Sequence, residues 1–229
     1  MKNLRIGLVG AGGRMGAEIS KVIESTAGCE LALPVFRGYK LDTKEAKKID
    51  VWIDFSSPKA FPEVLKLAIK NKTPLVCGTT GFTAKEKSLL KKHSKDIPLL
   101  WASNMSMGVA VLNEALKVFS SISQFDFQIE EIHHNRKKDK PSGTAITLQE
   151  NLQVAVGKKL PEPLAIRGGG VFGVHKIFAI SDEEMLTFEH TALNRTVFAK
   201  GAVQAAQWLA LQKKPNLYTI RDVLFGTKK

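Results

Sequence analysis

The stretch EEIHHNRKKDKPSGTA, residues 130–145, sets two adjacent histidines and the cations Arg136, Lys137, Lys138 and Lys140 around Asp139, then runs into Pro-Ser-Gly-Thr. Imidazoles titrate near neutral pH and can exchange a proton with a bound molecule. Ser142 is a natural helix N-cap, which leaves the Gly143 and Thr144 amides unpaired at the positive end of a helix dipole. A helix start of that kind, with Lys137 and Lys138 beside it, suits a carboxylate or phosphate. The chemistry implied is that of a small anion that needs a proton during reaction. A structural histidine pair and a solvated lysine loop are the blander readings. The convergence of histidine, lysine and a Ser-Gly-Thr helix start favours a site. A metal centre is not expected: His133 and His134, adjacent on a strand, point to opposite faces, and no third ligand is spaced for one.

A second constellation is GLVGAGGRMG, which places Gly10, Gly13 and Gly16 at a strand-to-helix turn, with Gly12 added. Glycines there permit positive φ and close backbone approach, and the following helix start offers amides to a pyrophosphate. An ordinary tight turn reads similarly, but strand, glycines, helix and second strand in this order favour a dinucleotide. The second strand ends in Phe36-Arg37, with Lys40 nearby, where an acidic side chain would accept hydrogen bonds from ribose hydroxyls. Arg37 is either a surface cation or a clamp for a 2′-phosphate, and the second reading is preferred. The segments CGTTG (77–81) and ASNMSMG (102–108) each end a strand with small polar residues, as a plain loop or as a ligand crevice would.

These residues need a scaffold. Up to Asn104, short apolar strands alternate with helices: LRIGLVG, CELALPVF, DVWIDFS, PLVCGTTG and IPLLWASN are the strands. That alternation predicts an α/β fold, a Rossmann-type doubly wound parallel sheet. Beyond it GVAVLNEALKVFSSIS reads as one helix, FDFQIEEIHH as a strand, SGTAITLQENLQVAV as a helix, and residues 164–199 as a mainly antiparallel sheet. The organisation expected is a dinucleotide-binding domain over 1–106, completed by 196–229, with an inserted α+β domain over 107–195 for substrate binding and oligomerisation.

The bulk properties narrow the partners. A chain of 229 residues carrying a net charge of +12 could meet nucleic acid, an anionic membrane or small anions. No aromatic residues interleave with the lysine clusters and no helix-turn-helix or finger spacing appears, so nucleic acid is not expected. The apolar runs fall far short of the roughly 20 residues that span a bilayer, and the N-terminus is not a signal peptide. Cys29 and Cys77 read as free thiols in a reducing cytoplasm.

EIHHNRKKDKPSGTA resembles the E-x-H-H-x-x-K-x-D-x-P-S-G-T-A signature of the dihydrodipicolinate reductases, also called 4-hydroxy-tetrahydrodipicolinate reductases. The likeness continues in family order through GAGGRMG, DFSSP, CGTTGF, SNMSMGV, IRGGGVFGVH, EHTALNRTVFAKGAV and IRDVL, across essentially the whole chain. It implies an NAD(P)H-dependent reductase of lysine and diaminopimelate biosynthesis, with His133 as catalytic acid/base and Lys137 as proton donor. It also implies that His134, Ser142, Gly143, Thr144 and Arg195 bind the dicarboxylate substrate. Cofactor contacts would come from Gly10, Ala11, Gly12, Gly13, Arg14, Met15, Arg37, Gly78, Thr79, Thr80, Ser103, Asn104, Met105 and Ser106. The family is usually a homotetramer whose substrate-domain sheets share a barrel. Two departures stand out: Phe36 replaces the acidic ribose ligand of many relatives, so NADPH is expected over NADH, and the chain is short after Arg37 and around GGGVFGVHKIFAISDEE. That trimming touches oligomer geometry more than chemistry. A different Rossmann reductase would need a catalytic Cys or Lys/Asp arrangement that is missing, and a non-catalytic NADP sensor would need no proton donor.

Overall fold

A computed structural model of the chain describes residues 2–39 and 43–227; Lys40, considered above as an added charge near Arg37, lies outside the described residues. The elements run β1 (Leu4–Val9), α1 (Arg14–Ser25), β2 (Cys29–Val35), α2 (Thr43–Ala46), β3 (Val51–Asp54), α3 (Phe61–Lys70), β4 (Leu75–Cys77), α4 (Ala84–His93) and β5 (Pro98–Trp101). Then come α5 (Met107–Ala115), a 3-10 segment (Leu116–Ile122), β6 (Asp126–His133), α6 (Gly143–Val156), β7 (Leu164–Arg167), β8 (Val174–Ile180) and β9 (Met185–Thr191). α7 (Thr196–Ala210), β10 (Asn216–Tyr218) and α8 (Ile220–Phe225) close the chain. The chain divides into two compact units, residues 1–105 with 198–229, and residues 106–197.

In the first unit, six strands in the order β10-β5-β4-β3-β1-β2 are all parallel. Successive side chains on a strand point to opposite faces, and here both faces are buried. Ile6, Leu8, Val51 and Ile53 pack with Ile19 and Ile23 of α1 and Ala202, Val203 and Ala206 of α7 on one side. Val9, Trp52, Leu75 and Leu99 pack with Phe61, Leu65 and Ala68 of α3 and Leu90 of α4 on the other. Chain order reverses between β1 and β3, so the carboxyl ends of β1, β2 and β3 meet at a switch point, where such sheets bind ligands. The expected doubly wound sheet is what forms, with one addition. The three-residue strand β10 pairs with β5 at the sheet edge; three residues are too few to carry a period.

The second unit is a four-stranded sheet, β7-β6-β8-β9, with β6, β8 and β9 antiparallel and β7 parallel to β6. Its inner face is filled by Phe127, Ile129, Ile177 and Ala179, packed on Leu148 and Leu152 of α6 and on Phe119. The expected single helix over 108–123 splits instead into α5 and the 3-10 segment. Ser120 and Ser121 donate their hydroxyls to the carbonyls of Lys117 and Val118, at 2.9 and 2.7 Å. Serines that bond locally to backbone compete with α-helical geometry. No helix of the described residues is long and apolar enough to cross a membrane.

Candidate active site

Alternation along β6 decides which side chains can do chemistry. Phe127, Ile129, Glu131 and His133 face inward, where the apolar half of the strand gives way to a polar end. Register then brings in the other strands: Glu131 stands opposite His175 of β8, His175 opposite His190 of β9, and His133 opposite Arg167 of β7. The inner face thus ends in three histidines, a carboxylate and a guanidinium.

Glu131 is fully buried and takes four hydrogen bonds. Arg167 donates through Nη2 to Oε1 at 2.6 Å and through Nη1 to Oε2 at 2.8 Å. The Ser142 amide donates to Oε1 at 3.1 Å, and His133 Nδ1 meets Oε2 in a very short contact. Burial alone would raise the Glu131 pKa, but Arg167 and then His133 outweigh it and hold the carboxylate below its ordinary range. His133 moves down as well: burial is the largest cause, and with smaller contributions from the charges of Lys137 and Arg167 it outweighs the pull of Glu131. The contact sets Nδ1 on the carboxylate and leaves Nε2 as the outward nitrogen. A Cβ on Gly173 would come within 3.0 Å of that Nε2, so glycine keeps the ring's edge clear.

Ser142 caps α6 as expected, its hydroxyl accepting from the Ala145 amide at 3.2 Å. The same hydroxyl lies 3.4 Å from His175 Nε2. Gly143 is exposed and opens onto unfilled space. Lys137 is held by Asp139 at 2.8 Å. His134 leaves the strand, its amide donating to the Val171 carbonyl at 2.7 Å, and Thr144 is half-buried at the helix start. Arg195 stacks over Phe172 at 5.2 Å from the ring centre, in the glycine-rich connection before β8. Ser106, expected at a nucleotide, falls in the second unit, fully buried; its hydroxyl accepts from the Val109 amide and lies 3.1 Å from His190 Nε2.

In the first unit, a cavity of about 770 Å³ opens at the switch point, within the range of cofactor sites. Gly10, Gly12, Gly13, Phe36, Arg37 and Phe55 line it. Gly10 has φ of +88°, and a Cβ there would sit 2.5 Å from the Phe55 carbonyl; one on Gly16 would sit 2.1 Å from the Gly10 carbonyl. The Gly10 and Ala11 amides are used on the Val35 carbonyl and the Gly13 amide on Gly10. Gly12 and Arg14 remain exposed at the helix start, with Met15 half-buried behind them. Phe36 is 54% exposed and lies against Gly12, so an aromatic face borders the loop. Glu63 of α3 adds one carboxylate to the wall.

Gly78, Thr79 and Thr80 follow β4 and do not line that cavity; Ser103, Asn104 and Met105 follow β5, and Met105 is buried in the core with its carbonyl against Gly201. Thr79 is tied down by Asp54, a buried carboxylate at the end of β3. Asp54 accepts from the Thr79 hydroxyl at 3.2 Å, the Ser56 amide at 3.0 Å, the Ser56 hydroxyl and the Cys77 thiol. The sequence reading missed Glu131, Arg167, His175, His190 and Asp54 as site-forming residues. Inward parity with His133 could have flagged Glu131, and burial parity in β8 His175. Among the described residues, no group of three or more His, Cys, Asp or Glu side chains is placed to hold a metal ion.

The buried histidines give a pH signature. His175 is pushed down to about 3, first by burial and then by the neighbouring His133 and His190. An unfolded histidine takes its proton near 6.5, so between 6.5 and about 3 the unfolded chain binds a proton that the fold refuses. Unfolding free energy then falls as pH drops through that window, at up to about 1.4 kcal/mol per pH unit. In urea titrations between about pH 6.5 and 5, above the carboxylate range, His175→Gln should flatten this slope by roughly half to one such step per unit. A slope equal to that of the wild type would mean that His175 protonates inside the fold.

The family model "Dihydrodipicolinate reductase, N-terminus" matches residues 4–105, and "Dihydrodipicolinate reductase, C-terminus" matches residues 108–224. A 4-hydroxy-tetrahydrodipicolinate reductase of Bdellovibrio bacteriovorus is 72% identical over 229 residues, covering all of both chains. One from Sulfurovum sp. is 39% identical, covering 96% of this chain and 98% of its own. In structure, the dipicolinate-bound dihydrodipicolinate reductase of Paenisporosarcina sp. TG-14 superposes with a TM-score of 0.75 at 19% identity, over 95% of this chain and 97% of that one, and so shares the fold. Matched end to end by both family models and by relatives of this identity, the chain belongs to the dihydrodipicolinate reductase family, the 4-hydroxy-tetrahydrodipicolinate reductases of lysine and diaminopimelate biosynthesis.

Proposed function

We propose that the second unit binds the dicarboxylate and handles its proton, while the first holds the dinucleotide, with NADPH preferred over NADH. The observation that carries this reading is His133, neutral and oriented by a buried carboxylate, beside the start of α6. Reduction of 4-hydroxy-tetrahydrodipicolinate consumes one hydride and one proton and releases water, leaving both carboxylates unchanged. Carboxylates bind where N–H donors and cations converge, which the Gly143 and Thr144 turn, His134 and Arg195 can provide. Lys137, steadied by Asp139, is the proton donor. His133 exchanges its proton at Nε2, and such a group contributes on the order of 10²–10⁴ in rate.

The nicotinamide, when bound, supplies the hydride. The cavity fits a dinucleotide in three respects: its place at the switch point, glycines where a Cβ would strike backbone, and a helix start beside it. Gly10 to Met15 would hold the pyrophosphate, Arg37 a 2′-phosphate, and the ends of β4 and β5, through Gly78-Thr79-Thr80 and Ser103 to Ser106, the rest. Glu63 on the same wall opposes a second negative charge, so a bias and not exclusivity is expected.

The outer face of the second unit's sheet supports self-association. Leu164, Ile166, Ile180 and Met185 are 54, 45, 38 and 59% exposed there. With the partly exposed Ile132, Val174 and Phe178 they place apolar side chains on either side of a polar row, Glu130, Lys176 and Glu189, on the same face, and a monomer would leave that apolar area in water. A homotetramer, working in the cytoplasm with the rest of lysine biosynthesis, is the assembly proposed.

Turnover of freshly made substrate by the nucleotide-loaded protein, followed as NADPH oxidation, tests the reaction itself. His133→Gln and Lys137→Ala should each lower kcat about 100-fold while leaving NADPH affinity within about twofold of the wild type; wild-type turnover in either variant removes that residue from the reacting centre. Arg37→Ala should erase a preference for NADPH of roughly ten- to hundredfold, the equivalent of one charge-assisted phosphate contact. A preference that survives the change assigns the phosphate elsewhere. Light scattering at micromolar concentration should give four times the mass of the 25.1 kDa chain, and a monomer would leave the apolar face unexplained.

A further inference from the structure

Glu131 cannot touch a ligand, since no part of it is exposed, yet four donors on three segments converge on it. We propose that Glu131, clamped by Arg167, is a positioning residue that fixes His133 as the Nδ1–H tautomer and so makes Nε2 the nitrogen that exchanges a proton with substrate. The proposal rests on His133 being the proton-exchanging group.

The argument is one of donors and acceptors. An ionised carboxylate only accepts. Oε1 is met by two donors that cannot change character, Arg167 Nη2 and the Ser142 amide. Oε2 is met by Arg167 Nη1 and by His133 Nδ1. Of the four donors, imidazole alone can become an acceptor instead, so a charged Glu131 forces Nδ1 to carry the hydrogen. Arg167 cannot swing away to relieve this. Nη1 also donates to the Ile166 carbonyl at 2.7 Å, and Nη2 to the Asp139 carbonyl at 2.6 Å. The Asp139 link ties the clamp to the loop that carries Lys137, and the Ser142 link ties it to the first turn of α6. The other ionisable groups facing His133 are Lys137 and His175, and neither is bonded to Nδ1.

Glu131→Gln separates charge and tautomer from size. Its one carbonyl oxygen must sit at the Oε1 position, against the two fixed donors, which turns the amide NH₂ toward His133 Nδ1. His133 then accepts there and carries its hydrogen on Nε2. A wrong tautomer with near-native geometry costs a serine protease triad about 10⁴ in kcat. For Glu131→Gln we expect a loss of about 100-fold or more in kcat, with NADPH affinity within about twofold of the wild type. Glu131→Asp, which keeps an acceptor-only group, should recover part of that loss.

The tautomer is read directly by ¹⁵N solid-state NMR of histidine-labelled protein. The chain has five histidines, and His133→Gln identifies the His133 signals. At neutral pH the wild type should show hydrogen on Nδ1 and a bare Nε2, and Glu131→Gln the reverse. Hydrogen on Nε2 in the wild type, or wild-type kcat in Glu131→Gln, overturns the proposal. Should Glu131→Gln fail to fold, the wild-type spectrum and Glu131→Asp still decide it. Loss of activity in Glu131→Gln with full activity in His133→Gln would instead sink the catalytic reading of His133, a distinguishable outcome.

Discussion

A buried carboxylate must be neutralised, and the polar end of the second unit is built around meeting that demand for Glu131. Without Arg167, burial would push its pKa upward. With the guanidinium in place it stays charged, and a charged Glu131 dictates what each neighbour presents to it. Removing one partner of such a pair typically costs about 3–5 kcal/mol, since the other is left buried and unpaired. The pairing also accounts for β7, the one strand of this sheet that runs parallel to its neighbour. Its last residue, Arg167, is delivered opposite His133, two residues along from Glu131, where a guanidinium fork can reach the carboxylate.

The period of a strand gives β6 two occupations. Its inward residues pass from core at Phe127 and Ile129 to chemistry at Glu131 and His133, without leaving the face that α6 covers. Its outward residues, Gln128, Glu130 and Ile132, lie on the sheet's half-exposed outer face. A single register shift would exchange the faces, turning Phe127, Ile129, Glu131 and His133 outward and driving Gln128 and Glu130 into the core. The geometry of His133 is thus secured by the same alternation that fills the core.

Much of this was legible in the sequence, and the omissions follow one rule. Local signals read well: the glycine loop, the alternation of strands with helices and the Ser142 cap all depend on residues a few positions apart, whereas His134, expected on the strand beside His133, has already left it. The Glu131–Arg167 pair is 36 residues apart, and the His190 contact with Ser106 is 84 apart. The first is a product of strand register and the second of α5 meeting β9, and no local period encodes either. Ser106, read from its small polar neighbours as part of a nucleotide loop, also caps α5 with its hydroxyl. Asp54 was hidden by its place in an apolar strand, where nothing but the fold shows which donors its carboxylate meets.

Asp54 and Glu131 make a useful pair, because they are the same kind of group under opposite electrostatics. Both are fully buried at or near a strand's carboxyl end, and both hold loops that carry candidate site residues. Asp54 is surrounded by neutral donors from Ser56, Cys77 and Thr79, and burial wins: its pKa is raised. Glu131 has a guanidinium, and its pKa is lowered. Hydrogen bonds from hydroxyls and amides can orient a carboxylate, but they only partly offset desolvation, whereas a cation at hydrogen-bond distance reverses the sign. Asp54 fastens the ends of β3 and β4, a task that geometry alone accomplishes. An imidazole with a dictated tautomer needs more, an acceptor that cannot itself take up the proton. The chain therefore places a half-buried arginine, Arg167, beside Glu131, next to the histidine, and leaves Asp54 to neutral partners.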